Sequence, residues 1–289
     1  MDFDFQRYIQ QRRASGTASE AAPPPGRAAW AFSRDRKVLQ TLDRARFVEM
    51  ALKATIKLEE RLLDTELLAS VKPTSAQEHP RLHKALSEAS RRLATAPVPV
   101  LLVDTPGEDA ITVFGMDEAP RLLVAPWALE LLDDSELIFL MGRGLGHIEA
   151  SHAPYLTTIF ALEQMSEAFY GWVVKPAQLA LEAWRRHGTI SADRAGLMAA
   201  GSLDDAVRAL VKIGLAGEHD VAGVLERLAG RKTIEEWSAL VDDDLARARR
   251  ILAMRAFARS QPYRRSLGKD DGESLTSIDR EVESIVKIW

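Results

Sequence analysis

The amino-acid sequence predicts a mainly α fold with one small β-sheet, an α+β class. Three observations predict it. Apolar residues recur at helical spacing from Asp35 to Val71, and residues 80–94 look like another helix. Between residues 98 and 126 the pattern switches to short apolar or β-branched runs bounded by Pro, Gly and Asp. From Trp127 the helical spacing returns and holds almost to the end.

The elements follow in order. The start, "MDFDFQRYIQQRR", has no apolar run behind a basic patch, so no signal peptide is expected. Its Phe3, Phe5, Tyr8 and Ile9 suit either a tethered recruitment peptide or a segment folded back on its own domain. Residues 14–29 are small, polar and Pro-rich and read as a flexible linker, so residues 1–33 form an N-terminal segment. The domain proper is expected over 34–268. Leu39, Leu42, Phe47, Met50, Leu52, Ile56, Leu62 and Leu63 place one long amphipathic helix, or two, over 35–71. After the helix at 80–94, "VPVLLVD" (98–104), "DAITVFG" (109–115) and "RLLVAP" (121–126) predict about three strands. Residues 269–289 form a C-terminal tail, a polar loop before a short helix.

Composition excludes several classes. The 289 residues are 46% hydrophobic and 28% charged, as in an ordinary globular protein. A net charge of -4 gives no general attraction to nucleic acid. No cysteine is present, so disulfides, thiolate nucleophiles and Cys-ligated metals are excluded. The most apolar stretch, "AFYGWVVKPAQLALEAW", is broken by Lys175 and Pro176, and no membrane span is expected. A cytoplasmic protein is the expectation.

"ELIFLMGRGLGHIEASH" (136–152) decides between two chemistries. "GRGLGH" fails the G-x-G-x-x-G pattern at His147 and has no G-K-[ST], which argues against a phosphate loop. Asp133 with Glu136 three residues later has capping-box spacing. Leu137, Leu140, Met141, Leu145 and Ile148 then repeat at helical offsets, so the stretch predicts one helix. Gly142, Gly144 and Gly146 each weaken an exposed helix by roughly 1 kcal/mol, so tertiary packing, with close approach of another backbone, must hold it.

The run 97–152, "PVPVLLVDTPGEDAITVFGMDEAPRLLVAPWALELLDDSELIFLMGRGLGHIEASH", resembles the core of the HtpX and CAAX-prenyl-protease type of zinc metallopeptidases, the gluzincins. His147 and His152 fall on the last two histidines of that family's active-site helix. "TISADRAGL" resembles its second motif helix, with Ala192, Asp193 and Arg194 matching E-x-x-A-D-R. "RILAMRAFARSQPYRRSLG" is similar to its C-terminal helix. The resemblance spans roughly residues 35–268 and implies a gluzincin-type core with two motif helices.

The departures bear on chemistry. By the resemblance, Arg143 stands at the first ligand, Gly144 at the catalytic Glu and Thr189 at the third ligand, while His147 keeps the second. A catalytic zinc needs three protein ligands and an open water position. Arginine offers no lone pair, glycine no carboxylate, and threonine is a poor zinc ligand. No cofactor is expected. A rebuilt zinc site from His147, His187 and Asp193 is the alternative. His152, five residues past His147, lies about 140° around the helix and should not share an ion with it. The family's Asp beside the first ligand survives as Asp193, and Arg143 is expected to pair with it. The strand Asp109, Ala110, Ile111, Thr112, Val113, Phe114 and Gly115 is expected at the sheet edge, where the family receives peptides by strand addition.

Three functions stay open: a degenerate pseudoprotease that binds a protein or peptide, a zinc metalloendopeptidase with a rebuilt site, and a helical scaffold without a groove. Asp242, Asp243 and Asp244 before Arg247, Arg249 and Arg250 read as an ordinary helix start. Phe169, Tyr170, Trp172 and Trp184 read as core, and His79, His83 and His219 as surface histidines.

Overall fold

A computed structural model describes residues 28–53, 55, 72–104, 109–164, 174–216, 221–241 and 244–286. Helix α1 spans Ser33–Leu42. The chain bends at residues 43–45 and is helical again over 46–53, so the apolar pattern from Asp35 belongs to two helices. The bend is anchored by Asp43, whose carboxylate accepts from the Tyr155 hydroxyl. Residues 56–71, the N-terminal aromatics and the linker at 14–27 lie outside the described residues.

Four strands form one mixed sheet in the order β1-β2-β4-β3: β1 Lys72–Pro73, β2 Val100–Leu102, β3 Ile111–Phe114 and β4 Arg121–Val124. β2 and β4 run parallel, and the other pairs are antiparallel. β1 is additional to the predicted strands. Its Pro73 lacks an N–H and sits on an edge, where none is needed. β3 forms the opposite edge but is shorter than the predicted 109–115. Ala110 (φ 62°) and Gly115 (φ 109°) turn the backbone out of extended geometry at both ends.

The helices follow: α2 Pro80–Leu93, before β2, then α3 Pro126–Leu131, α4 Asp134–Glu149, α5 Ala153–Gln164, α6 Val174–Ala200 and α7 Leu203–Leu215. After them come α8 Val221–Leu228, α9 Ile234–Ser238, α10 Leu245–Phe257, α11 Gln261–Ser266 and α12 Leu275–Val286. α4 opens on the expected capping box between Asp133 and Glu136. The fully buried Glu136 also receives Arg208 at 2.6 Å and Lys212 at 2.7 Å, so its charge is paired. α4 stops at Glu149. Ser151 turns left-handed (φ 59°), and His152 precedes α5 instead of extending α4. The expected single helix through residue 152 is corrected accordingly.

α4 packs along α6, and glycines make the approach possible. A Cβ at Gly142 would meet Ala199 Cβ at 2.4 Å, and one at Gly146 would meet Ala195 Cβ at the same distance. Gly144 faces the sheet, against Leu122 and Ile111. Phe139, Leu140, Met141, Leu145, Trp184 and Leu197 are buried in one core, each large side chain stabilising by roughly 1.5–3 kcal/mol. Trp184 is thus core, while Phe169, Tyr170 and Trp172 lie outside the described residues.

Both ends of the described chain join this core. Trp30, Ala31 and Phe32 are buried, and so are Ile278, Val282 and Val286 of α12, which the sequence reading placed in a tail. Among the described residues no helix is long and apolar enough to cross a membrane.

Candidate functional site

A cavity of about 350 Å³ opens between β3, α4, α5, α6 and α10. Ile111 and Thr112 border it on the β3 side, His147 and Thr189 on the two motif helices, and Arg247 and Arg250 on α10. Leu156, Ile159 and Phe160 supply an apolar wall from α5. A volume of this order suits a small-molecule or short-peptide ligand.

Beside the cavity, two arginines and two aspartates close a ring of alternating charge. Arg143 Nε donates to Asp193 Oδ1 at 2.8 Å, and its Nη2 to Asp109 Oδ2 at 2.7 Å. Arg250 donates Nε to Asp193 Oδ2 at 2.8 Å, Nη2 to Asp193 Oδ1 at 2.9 Å, and Nη1 to Asp109 Oδ1 at 2.7 Å. Arg143 and Asp193 are each 1% exposed. The expected Arg143–Asp193 contact is therefore present, within a larger cluster. Its local cause is again a glycine: a Cβ at Gly196 would lie 2.7 Å from Arg143 Cγ, so Gly196 makes room for the arginine stem. Charge-assisted contacts of this kind are about twice as strong as neutral ones.

The electrostatics follow from burial and pairing. Burial pushes the Asp109 carboxyl up, but Arg143, Arg250 and Arg247 outweigh it and hold it well below the usual range. Burial lowers Arg250, yet Asp109 and Asp193 raise it above an ordinary guanidinium. Arg247 differs. Burial and the neighbouring Arg250 lower it, against the pull of Asp109 and Asp244. It donates Nε to Asp244 at 3.0 Å and comes only to 3.7 Å of Asp109.

A second polar line runs behind His147. Asp35 is fully buried and accepts from Trp184 Nε1 at 2.8 Å and from Ser191 Oγ at 2.5 Å. His152 Nε2 stands 3.1 Å from Asp35 Oδ2, and His152 Nδ1 stands 2.9 Å from His147 Nδ1. The two histidines do meet, against the helical-angle expectation, because the turn at Ser151 brings His152 back. Burial raises Asp35, but the charge and hydrogen bond of His152, with Ser191 and Trp184, bring it below its usual value. His147 is held well below an ordinary histidine by burial, then by His152 and Arg143.

These positions do not fit zinc. Arg143 and Arg250 use both oxygens of Asp193, and Gly144 points into the sheet. The alternative trio His147, His187 and Asp193 does not assemble. His187 packs its ring 6.1 Å from Phe32, and its Nδ1 has no hydrogen-bond partner among the described residues. Among the described residues no three His, Asp or Glu side chains are grouped to hold a metal ion. His79 is half-buried, and His83 reaches Thr74 Oγ1 at 2.9 Å. His219 lies outside the described residues.

The β3 edge is open at one end only. Ala125 N donates to Ala110 O, so alternation turns Ile111, Val113 and Gly115 outward. The Thr157 hydroxyl of α5 stands 2.9 Å from both Gly115 N and Gly115 O and covers that end. Val113 is fully buried, and the edge meets the cavity at Ile111 and Thr112.

Sequence reasoning missed Arg250, Arg247 and Asp35. The two arginines lie three apart on one face of α10 in "DDDLARARR", a helical-face signal that was available. Nothing local marks Asp35, whose partners lie on distant elements. Comparisons with protein-family models, curated proteins and solved structures returned no match.

Proposed function

We propose that the protein is a gluzincin-like pseudoprotease that binds a peptide in its cleft without zinc catalysis. One observation carries this reading. The cavity runs from the β3 edge at Ile111 and Thr112 to His147 and Thr189, while Arg143 is engaged in the charged ring. An open cleft with polar groups at one wall and apolar groups at the other is what a peptide needs. Strand addition would be short, because α5 covers the Gly115 end. The rest of the affinity would come from side chains in the cavity.

The test is a fluorescence-polarisation screen of labelled peptides on the purified chain, with elemental analysis of the same sample. Binding should be abolished by Thr189→Trp, which fills the cavity from a half-buried position. Zinc should be far below one per chain. One zinc per chain, lost in His147→Ala, would support a rebuilt peptidase instead. Failure of all peptides to bind, with the fold intact, would leave the scaffold reading.

A further inference from the structure

The Asp35–His152–His147 line ends on the cavity wall, and its geometry fixes which atom faces a ligand. Nδ1 of His147 is committed to His152, so Nε2 is the ring nitrogen left for the cavity. Arg247 stands on the same cavity. The ring carboxylates are taken up by Arg143 and Arg250, and Arg247 reaches Asp109 only at 3.7 Å. Its closer partner, Asp244, is 41% exposed. Arg247 Nη1 also reaches Leu210 O at 3.4 Å, which leaves its Nη2 without a hydrogen-bond partner among the described residues and available to a ligand. Of the other guanidiniums on the cavity, Arg185 pairs with Glu182 at 2.9 Å and Arg186 is exposed.

We propose that the cavity captures a peptide by its C-terminal carboxylate, held between Arg247 and Nε2 of His147, with the last side chain against Leu156, Ile159 and Phe160. This rests on the peptide-binding reading and names the part of the peptide recognised. Glu163, Glu182 and Asp244 line the walls together with Arg185 and Arg186, and these carboxylates repel a phosphate dianion more than a ligand of single negative charge.

His147 faces His152, Arg143, Asp35 and Asp109. Two Nδ1 atoms in a hydrogen bond need one N–H and one lone pair, so a His147 that accepts at Nδ1 carries its own proton on Nε2 and can donate it to the ligand carboxylate.

Isothermal titration calorimetry tests this with one apolar tripeptide, as the free acid and as the C-terminal amide, at about pH 7.5. The free acid should bind roughly ten- to hundredfold more tightly than the amide. Arg247→Gln should bring the acid to the level of the amide. Equal binding of acid and amide overturns carboxylate capture and leaves the peptide reading standing. No binding of either overturns both. Inorganic phosphate competing as well as the acid overturns the ligand class.

Discussion

Asp193 receives three hydrogen bonds from two guanidiniums, and removing one donor group unbalances a buried charge. Arg143→Met would leave Arg250 as the one guanidinium hydrogen-bonded to the two carboxylates, with Arg247 only at 3.7 Å from Asp109. Breaking a buried pair this way typically destabilises by about 3–5 kcal/mol. In a chain of this size the melting temperature should fall by about 2–4 °C for each kcal/mol. Adding Asp193→Leu removes one charge of each sign and should recover part of the loss, read by thermal denaturation of the two variants. An unchanged melting temperature in Arg143→Met would refute the structural role of the ring. Acid should act on the carboxylates of the ring and of the buried Asp35 line. Asp35 and Asp109 are depressed, so their stabilisation is full above their ordinary value of 3.8 and is lost as pH falls below it. His147 is also depressed, but as a base. Below its ordinary 6.5 the unfolded chain takes a proton that the folded chain refuses, so stability drops as pH falls through that value. Urea denaturation at about pH 7.5 and 5.5 should show this slope, and His147→Gln should flatten it.

The α4–α6 contact makes a prediction that runs against helix propensity. Replacing glycine by alanine in a helix normally stabilises by roughly 1 kcal/mol. Here Gly142→Ala and Gly146→Ala should each destabilise, by about 1–3 kcal/mol, because each new methyl would meet a facing alanine Cβ at 2.4 Å. Gly144→Ala should be milder, since it meets the side-chain ends of Leu122 and Ile111. Melting temperatures in that order would confirm the packing; a stabilised Gly146→Ala would contradict it. α4 was legible in the sequence because its signals are local: the Asp133–Glu136 box, the apolar period and small residues wanting a close neighbour. The bend at 43–45 was not, because the apolar period continues through it and its anchor, Tyr155, lies 112 residues away. The break before His152 depends on Ser151, a residue with no turn preference strong enough to read. The sheet was legible in position but not in extent, since Asp109 is drawn into the arginine cluster and β1 is only two residues long.

The described chain is tied across its length by Arg194, which lies between the rings of Phe32 and Phe257 at 5.2 and 4.9 Å. It pairs with Asp279 of α12 at 2.7 Å and donates to Trp30 O, so one side chain of α6 holds both ends of the described chain. Asp279→Ala should therefore cost about 3–5 kcal/mol, far more than an exposed ion pair, and thermal denaturation would check it. Loss of less than about 1 kcal/mol would make α12 a passive appendage. This closure was invisible in the sequence, where residues 269–289 read as a tail. The candidate cleft was half legible. Arg143, His147, Thr189 and Asp193 could be read off the two motif stretches, whereas Arg250 meets Asp193 and Asp109 from 57 and 141 residues away. That ring has a consequence for descent. Its four members come from separate segments, and each oxygen of Asp193 and Asp109 already serves an arginine. A lineage that changes any one of them passes through a destabilised intermediate unless a partner of opposite sign changes too. Positions 109, 143, 193 and 250 should consequently be inherited, and lost, as a set.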